Sequence, residues 1–387
     1  MTPPTPPRKI LMVVTVGGYT HAAPVLEIGK VLAQRGHVVD FATLEGQESW
    51  TMGYEYISQL HLMGHGPSHE DLEAYYLRMQ ENQLVIFKAL PSIIKWVKWT
   101  KQIRQDARVN YPLPAPSKPN YLVLINSFFG LEVSKDIPPL VQEIRPILAD
   151  AYPPLSEPYE GFLEKHKKTL YLALVIWSIS EAARRDIDTS HQFSGTGGKG
   201  FTFASLLKGE HSSFVITTFA PQRVILDHDH TVIYLTYGGG SSANEGLYHR
   251  KLMLAIGFFF DQISNVPRLV ASGTSEALDK FRFTPEEVCQ KIKLLSEDID
   301  GLYKRNCTRM QRIARAASRR KELGADLIEE VMYDTEGRFD GEKELRPMHL
   351  QTADMRMSTF KARNWDLWLV GLVTLGVVPL ASITVGK

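Results

Sequence analysis

Residues 219–265 read FAPQRVILDHDHTVIYLTYGGGSSANEGLYHRKLMLAIGFFFDQISN, and this stretch decides the fold. A short apolar strand is expected to end at Thr236, and the glycines at 238–240 predict a turn that opens a helix. Glycines let backbone approach a ligand closely, and a helix start presents free N–H groups and the positive end of its dipole. With the hydroxyls of Ser241 and Ser242, this helix start suits a diphosphate.

Acidic and amide side chains follow the glycine turn at positions where they could contact a ligand bound at the helix start. Glu245 lies one helical turn further on, where its carboxylate can accept hydrogen bonds from a ribose diol. Asp261 and Gln262 follow the next predicted strand, and ligands of parallel sheets bind at the carboxyl ends of strands. These two side chains are therefore candidates for holding the hydroxyls of a sugar.

The amino-terminal part has the pattern of a strand–helix–strand unit. Residues 9–16 are a nearly continuous apolar run, residues 22–35 read as an amphipathic helix, and residues 37–42 form a second strand. Residues 48–108 have a helical pattern with no clear strand, and residues 121–126 predict a third strand. This half is predicted to be α/β.

A second α/β half is predicted after residues 136–158, which are rich in proline and acidic residues and therefore read as an interdomain linker. Helices are expected between and after its strands, with a strongly helical pattern at 284–335. The predicted strands are 171–179, 214–218, 232–236 and 252–260.

The carboxyl end carries a membrane signal. Leu367–Val385 is an apolar stretch without charge, and about 20 such residues span a bilayer. Trp365 and Trp368 lie where interfacial aromatic residues belong. Lys361 and Arg363 precede the stretch, and this charge bias favours a body on the cytosolic side. A buried carboxyl-terminal helix is the alternative.

Composition excludes several classes of protein. The net charge is +1 over 387 residues, which gives no reason to expect a nucleic-acid partner. Two cysteines, Cys289 and Cys307, are too few for a disulfide framework and lack metal-ligand spacing, so we interpret both as reduced.

The segment at 219–265 resembles the donor-binding segment of family 1 UDP-glycosyltransferases, whose GT-B fold consists of two facing Rossmann-like domains. The shared pattern is (W/F)-x-P-Q, a histidine, T-H-G-G-x-x-S-x-x-E and D-Q-x-x-N. The resemblance extends to residues 14–39, to INSFFGLE at 125–132 and to the carboxyl-terminal anchor. It implies an α/β fold of the GT-B type, with two facing Rossmann-like domains, both shortened, and a carboxyl-terminal transmembrane helix.

The resemblance assigns a role in donor binding to nine positions of this chain. Phe219 would stack on uracil, Gln222 would contact the uridine, and Glu245 would bind the ribose. The remaining positions would hold the diphosphate or the sugar: Tyr237, Gly238, Gly239 and Ser242 for the diphosphate, and Asp261 and Gln262 for the sugar.

His21 matches the catalytic base of the family. It would deprotonate an acceptor hydroxyl, which attacks the anomeric carbon in line while UDP leaves, so the transfer inverts. The helix dipole and serine donors would stabilise the departing diphosphate without a metal. The resemblance thus implies transfer of a hexose from a UDP-sugar, used as co-substrate, to a small lipophilic acceptor, with no cofactor.

The resemblance also sets the expected domain limits and location. It predicts an acceptor-side domain at 9–135, a linker at 136–163, a UDP-sugar-binding domain at 164–345 and a transmembrane helix at 365–385. We expect a single-pass anchor in the endoplasmic reticulum membrane with the body of the protein in the cytosol.

The chain departs from the family pattern in three ways. Tyr237 replaces the histidine that contacts phosphate, and a tyrosine cannot carry its positive charge. Arg250 and Leu252 replace a glycine and a proline after the helix, and Gly257 replaces another proline. The third departure is length, because a doubly wound domain typically has about five or six parallel strands and fewer are predicted in each half. Asp106 is the only nearby candidate for the carboxylate that orients His21.

Three other readings compete with an active transferase. One is an inactive or truncated homologue that at most binds a nucleotide sugar. Another is a manganese enzyme that uses the Asp227-His228-Asp229-His230 run, although the Gln222-to-Gln262 constellation does not belong to that class. A nicotinamide enzyme is disfavoured because Gly17-Gly18 does not continue as GxGxxG and Asp40 lies inside its strand.

Overall fold

The structure is a computed structural model that describes fourteen stretches of the 387-residue chain. The described residues are 6–15, 18–66, 98, 121–128, 130–131, 137–144, 146–166, 169–171, 175–179, 184–185, 187–194, 200–258, 261–337 and 353–372.

Two compact units make up the chain. The larger unit comprises Met1–Asn110, Asn126–Val133 and Glu143–Ala325, and it holds both α/β halves. The smaller unit comprises Tyr111–Ile125, Ser134–Gln142 and Asp326–Lys387. The predicted domain limits remain a prediction.

The described strands are short and mostly parallel. In chain order they are β1 Lys9–Val13, β2 Val38–Thr43, β3 Ile57–Leu62, β4 Val123–Ile125, β5 Val141–Glu143, β6 Thr169–Tyr171, β7 Val175–Ser178, β8 Gln192–Ser194, β9 Gly200–Thr202, β10 Phe214–Thr217, β11 Thr231–Thr236, β12 Leu252–Ala255 and β13 Ser275–Ala277.

The described helices mostly follow strands, as a doubly wound fold requires. They are α1 Tyr19–Gln34, α2 Tyr159–Lys165, α3 Phe203–Leu207, α4 Gln222–Asp227, α5 Gly240–Tyr248, α6 Asp261–Ala271, α7 Pro285–Glu297, α8 Leu302–Ala317, α9 Lys321–Glu336 and α10 Thr359–Ala362. Short 3-10 turns lie at Glu48–Thr51, Ser318–Arg320 and Ala353–Arg356.

The amino-terminal half forms a parallel sheet in the order β1-β2-β3. Helix α1 connects β1 to β2, and its Leu26 and Leu32 are fully buried. The predicted strand–helix–strand unit is therefore present, although α1 begins at Tyr19 rather than at residue 22.

The carboxyl-terminal half is built on a four-stranded sheet in the order β13-β12-β11-β6, with every pair parallel. Strand β12 is buried along its whole length. Its Met253 packs into the core that contains α4, α5 and α8, whereas Leu252 and Leu254 pack into a second core against α7. Successive side chains of a strand point to opposite faces, so a continuous apolar run fits a sheet covered on both sides.

The prediction that residues 48–108 contain no strand is wrong. Ile57–Leu62 forms β3, which pairs with β2 in parallel. Its sequence, ISQLHL, carries polar residues because β3 has only one partner strand in the described sheet, where such residues reach solvent. The remainder of the predicted helical region, apart from a few residues, lies outside the described part.

The single strand predicted at 171–179 is two strands in different sheets. Thr169–Tyr171 pairs with β11, whereas Val175–Ser178 pairs with β10 in a separate two-stranded sheet. Strand β10, at Phe214–Thr217, therefore pairs with β7 and does not belong to the four-stranded sheet. The strand predicted at 252–260 ends at Ala255. The predicted linker also contains β5 and most of α2, so part of it is regular structure.

The smaller unit contains the beginning of the predicted membrane segment. Residues 365–372 are helical and carry several exposed apolar side chains, including Trp365 and Trp368. The rest of the predicted span, 373–385, lies outside the described residues. Among the residues that are described, no helix has both the length and the apolar content to cross a membrane.

A buried ion pair ties the amino-terminal half to the end of the larger unit. The Lys321 ammonium lies 3.4 Å from Glu27 Oε2 on α1 and also bonds Asp150. Glu27 and Lys321 are both buried, and the Tyr54 hydroxyl donates to Glu27 Oε1 at 3.1 Å. Buried charges are tolerated only when paired in this way, so this contact fixes the position of α9's first turn on α1.

Arg250 adopts a backbone conformation that favours glycine. Its φ is +58°, in the left-handed region, between α5 and β12. In this conformation a residue with a side chain lowers the stability of the fold by about 1–2 kcal/mol relative to glycine. The family pattern has glycine at this position, and the arginine accepts the same backbone at a cost in stability.

We expect Arg250→Gly to raise the free energy of unfolding by about 0.5–1 kcal/mol, because relief of the left-handed strain exceeds the extra unfolded-state freedom of glycine. Urea denaturation measures the change. Arg305→Gly, at an exposed position inside α8, is the matched control and should lose about 1 kcal/mol. If both variants lose the same free energy of unfolding, the proposed backbone strain at Arg250 is contradicted.

Candidate functional site

The turn from β11 into α5 requires glycine at its first position. Gly238 has a φ of +72°, and a Cβ added there would lie 2.7 Å from Val266 Cγ2. Gly239 has space around it and precedes the first helical residue. The turn therefore needs one glycine for its own geometry and leaves the second free for close approach by a ligand.

The start of α5 offers unpaired backbone donors. The Gly240 amide donates to Asp261 Oδ2 at 3.2 Å, while the Ser241 and Ser242 amides have no acceptor within the described structure. The first amides of a helix lack intrahelical acceptors and lie at the positive end of the dipole. The amides of Ser241 and Ser242 are thus available to an anion.

Asp261 caps this helix start through the Gly240 amide. Its Oδ2 also accepts from Asn265 Nδ2 at 3.0 Å, and the same Asn265 amide donates to the Gly238 carbonyl at 3.0 Å. Asn265 was part of the family pattern but was not among the predicted site residues. It holds the glycine turn and Asp261 together from one turn further along α6.

Gln222 is the centre of a hydrogen-bond network beside α5. Its Nε2 donates to Glu245 Oε2 at 2.7 Å and lies 3.4 Å from Ser242 Oγ. Its Oε1 accepts from the Tyr234 hydroxyl at 2.8 Å. The network joins α4, α5 and β11 and leaves Glu245 Oε1 available to a further donor. Tyr234 was not predicted as a site residue.

Burial raises the pKa of the Glu245 carboxyl, while the hydrogen bond from Gln222 and the charge of Arg223 lower it in part. Desolvation disfavours the charged form of a carboxyl group. Folding therefore costs more with Glu245 ionised, and a hydroxyl donor from a ligand would recover part of that cost.

Phe219 presents its ring to solvent, with 77% of the residue exposed. Its backbone is held from below, because its carbonyl accepts from the Tyr159 hydroxyl at 2.9 Å and from Thr217 Oγ1 at 2.7 Å. An exposed aromatic ring on an anchored backbone suits stacking against a planar ligand.

Tyr237 and Gln262 flank the glycine turn. Tyr237 is 59% exposed and its ring meets Phe258 edge-on, with centroids 5.4 Å apart. Gln262 Oε1 accepts from the Phe258 amide at 3.2 Å. Both side chains thus contact Phe258.

His21 lies in the first turn of α1 and is exposed. Its neighbour Thr20 contacts the other half, since Ser241 Oγ donates to the Thr20 carbonyl at 3.2 Å. The structure therefore brings His21 close to the start of α5. Asp106, the candidate partner of His21, lies outside the described residues.

Two side chains of the Asp227–His230 run have structural contacts. Asp227 bonds His249 and Tyr152, and His230 Nδ1 lies 2.7 Å from the Leu163 carbonyl. Within the described residues, no group of three or more acidic, histidine or cysteine side chains is arranged to hold a metal ion.

A buried histidine, His249, links the carboxyl-terminal ends of α4 and α5, the helices that carry Gln222 and Glu245. His249, just after α5, lies with Nδ1 2.8 Å from Asp227 Oδ1 at the end of α4. The Tyr152 hydroxyl donates to Asp227 Oδ2 at 2.6 Å. Only 1% of the His249 side chain is exposed, and burial lowers its pKa to about 4. The neutral imidazole therefore donates its Nδ1 proton to Asp227.

Comparison with known proteins gives consistent matches. The family described as UDP-glucoronosyl and UDP-glucosyl transferase matches residues 206–349. A UDP-glycosyltransferase of Talaromyces amestolkiae is 32% identical over 515 aligned residues, covering 98% of this chain and 97% of that protein. UDP-glycosyltransferase stmC of Aspergillus ustus is 32% identical over 514 residues, covering 96% of each. Both alignments exceed the 387 residues of this chain, so both relatives contain segments without a counterpart here.

A solved structure with a similar fold is that of UDP-glucose: anthocyanidin 3-O-glucosyltransferase in complex with UDP. It is 11% identical, with a TM-score of 0.55 over 84% of this chain and 100% of that chain. The glycotransferase of kitacinnamycin gives a TM-score of 0.54 at 17% identity, over 84% of this chain and 99% of that chain. The predicted α/β fold of the GT-B type is thereby confirmed, and the membrane helix stays a prediction.

We expect the contribution of buried His249 to the free energy of unfolding to decrease in acid. The unfolded histidine takes a proton near pH 6.5 whereas the folded one does so near pH 4, so stability is present above pH 6.5 and is lost as the pH falls between these values. Between pH 7 and pH 5 the loss amounts to about 2 kcal/mol. His249→Asn keeps a donor for Asp227 without titrating, so urea denaturation should show a flatter pH dependence. The same slope in both proteins would contradict this assignment.

Proposed function

Because the chain belongs to the UDP-glucuronosyl and UDP-glucosyl transferase family, we propose that it transfers a hexose from a UDP-sugar to a hydroxyl of a small lipophilic acceptor, with inversion and without a metal. The chain is a glycosyltransferase that moves a sugar from a UDP-sugar donor to an acceptor. The hexose, the nature of the acceptor, the stereochemistry and the independence from metal are the proposal.

One contact carries this proposal. Ser241 Oγ donates to the Thr20 carbonyl at 3.2 Å, which sets the start of α5 beside the first turn of α1. A diphosphate held by the amides of Ser241 and Ser242 would thus lie near the His21 imidazole. Catalysis of group transfer requires this proximity of a base and a leaving group.

The donor would lie along the residues around α5. The diphosphate is assigned to Gly238, Gly239 and Ser242, where the Ser242 amide and the helix dipole favour negative charge. The uracil is assigned to the exposed ring of Phe219 and to Gln222. The ribose is assigned to Glu245, whose Oε1 is free to accept a hydroxyl.

The transfer step uses His21 as the general base. Its imidazole takes the proton of the acceptor hydroxyl, and the hydroxyl oxygen forms a bond to the anomeric carbon. The bond from that carbon to the phosphate oxygen breaks, and its electron pair leaves with UDP. Attack from the face opposite to the leaving group inverts the anomeric centre.

The leaving group would be stabilised by the protein itself. Preorganised amides and a helix dipole stabilise charge that develops on a departing oxygen. Tyr237, at the position of the family's histidine, adds an exposed hydroxyl donor but no positive charge. Asp261 and Gln262, beside the same turn, are assigned to the sugar hydroxyls.

The lipophilic acceptor and the membrane location rest on the carboxyl-terminal sequence. The apolar run Leu367–Val385 predicts a single-pass anchor, and exposed Trp365 and Trp368 begin it. An anchor places the enzyme at a bilayer, where apolar substrates concentrate. We propose the endoplasmic reticulum membrane, with the body of the protein in the cytosol.

We expect His21→Ala to lower kcat for UDP-glucose turnover at least about 100-fold and to leave UDP affinity unchanged, because a general base contributes to the transition state and not to donor binding. UDP release and calorimetry with UDP, both in excess EDTA, measure the two quantities. His65→Ala, another exposed histidine, is the control and should behave as wild type.

Three outcomes would contradict parts of this proposal. Wild-type turnover by His21→Ala would contradict the assignment of His21 as the general base. Loss of turnover in EDTA would contradict the proposal that the reaction needs no metal. UDP binding by the wild type without turnover of any UDP-hexose would favour the catalytically inactive alternative.

We expect Asp261→Ala to change the affinity for UDP-glucose and the affinity for UDP in different ways. The variant loses the carboxylate assigned to the sugar, so affinity for UDP-glucose should fall about tenfold or more. UDP affinity should hold or rise, because a negative charge is removed from the diphosphate's helix start. Calorimetry with both ligands measures the ratio. Asp188→Ala, an exposed aspartate that also accepts from a backbone amide, is the control. Equal losses for both ligands would contradict the assignment to sugar.

A further inference from the structure

Asn265 is a side chain of α6 that bonds two parts of the donor site at once. Its Nδ2 donates to the Gly238 carbonyl at 3.0 Å and to Asp261 Oδ2, also at 3.0 Å. Asp261 and Asn265 are four residues apart on α6, so the helix presents both on one side. The Asn265 amide thus joins the turn assigned to the diphosphate to the carboxylate assigned to the sugar.

We propose that Asn265 is a positioning residue for the sugar: its amide holds the Asp261 carboxylate beside the glycine turn, with Oδ1 open to the sugar hydroxyls. The inference rests on the proposed function, since that function assigns Asp261 to the sugar and Gly238 to the diphosphate.

The partners of Asn265 determine the orientation of its amide. The NH₂ group has two hydrogens and only donates, whereas the Gly238 carbonyl and an ionised Asp261 carboxylate only accept. In the observed orientation each hydrogen has an acceptor. A reversed amide would place its oxygen against two acceptor oxygens and lose both bonds, so the observed orientation is strongly favoured.

Two donors on one oxygen set the direction of the Asp261 carboxylate. The Gly240 amide donates to the same Oδ2 at 3.2 Å. Within the described residues Oδ1 accepts from no group, so it is available to a ligand. Without Asn265 the carboxylate would keep the single bond to Gly240 and could turn about it. Loss of Asn265 should therefore weaken sugar binding in part, and less than loss of Asp261 itself.

The glycine turn has supports besides Asn265. The Gly238 amide donates to Thr236 Oγ1 at 3.2 Å. Val266 packs closely on the turn, since a Cβ added at Gly238 would lie 2.7 Å from Val266 Cγ2. Removal of the Asn265 amide leaves these contacts in place, together with the amides at the start of α5. The affinity for UDP should accordingly depend little on Asn265.

Asn265→Ala tests the inference by calorimetry with UDP and with UDP-glucose. Alanine favours the helical conformation, so α6 is retained. We expect the affinity for UDP-glucose to fall about threefold to tenfold, because the carboxylate is less well placed, and the affinity for UDP to stay within about twofold of wild type. Ser264→Ala is the control. It removes a hydroxyl on the same helix that bonds the Asp261 backbone carbonyl and should leave both affinities unchanged.

A double variant separates positioning from direct contact with the sugar. Because Asn265 acts through Asp261, the variant Asp261→Ala/Asn265→Ala should have the same ratio of UDP-glucose affinity to UDP affinity as Asp261→Ala alone. A lower ratio in the double variant would show that Asn265 acts on the sugar apart from Asp261 and would overturn the inference.

The assignments of Asp261 and Asn265 fail in different ways. If Asp261→Ala keeps the wild-type ratio of the two affinities, the proposed assignment of Asp261 to the sugar fails, and the role of Asn265 fails with it. If Asp261→Ala lowers the ratio but Asn265→Ala keeps it, or weakens the binding of both ligands equally, the role of Asn265 alone is overturned.

Discussion

The turn from β11 into α5, with the unpaired Ser241 and Ser242 amides that follow it, is the feature on which the rest of the site depends. Strand β11 ends at the carboxyl-terminal side of the parallel sheet. Gly238, in the left-handed conformation, then turns the chain into α5. Val266 fills the space where a side chain at 238 would lie. The backbone itself thus supplies the anion site, and the surrounding side chains adjust it.

Two contacts at opposite ends keep α4 and α5 in register. Gln222 and Glu245 meet at the ligand end, and Asp227 meets His249 at the far end. The far contact uses a buried neutral histidine, so it is independent of the charge of any ligand. A pair of helices held at both ends presents its polar groups in fixed positions, which reduces the ordering cost when a nucleotide binds.

The local elements of the site were predictable from sequence because they depend on short-range rules. An apolar run followed by glycines defines β11 and the start of α5, and the family pattern identified the polar positions around them. The strand at Ile57–Leu62 was missed, since its polar residues are tolerated only by the place it takes in the sheet. The division of 171–179 into two strands depends on which distant strands they pair with, which no local pattern records. The Tyr234 contact with Gln222 likewise joins residues whose meeting depends on helix packing.

The Lys321–Glu27 ion pair has a consequence for how the protein is made. The two residues are 294 positions apart in the chain, so a ribosome finishes the first sheet long before it adds the lysine. Until then, among the described residues, the Glu27 carboxylate on α1 has the Tyr54 hydroxyl but no cationic partner, and burying it is unfavourable. A nascent chain that stops short of position 321 would lack this cationic partner for Glu27. The buried carboxylate of Glu27 therefore gains this cationic partner only late in translation.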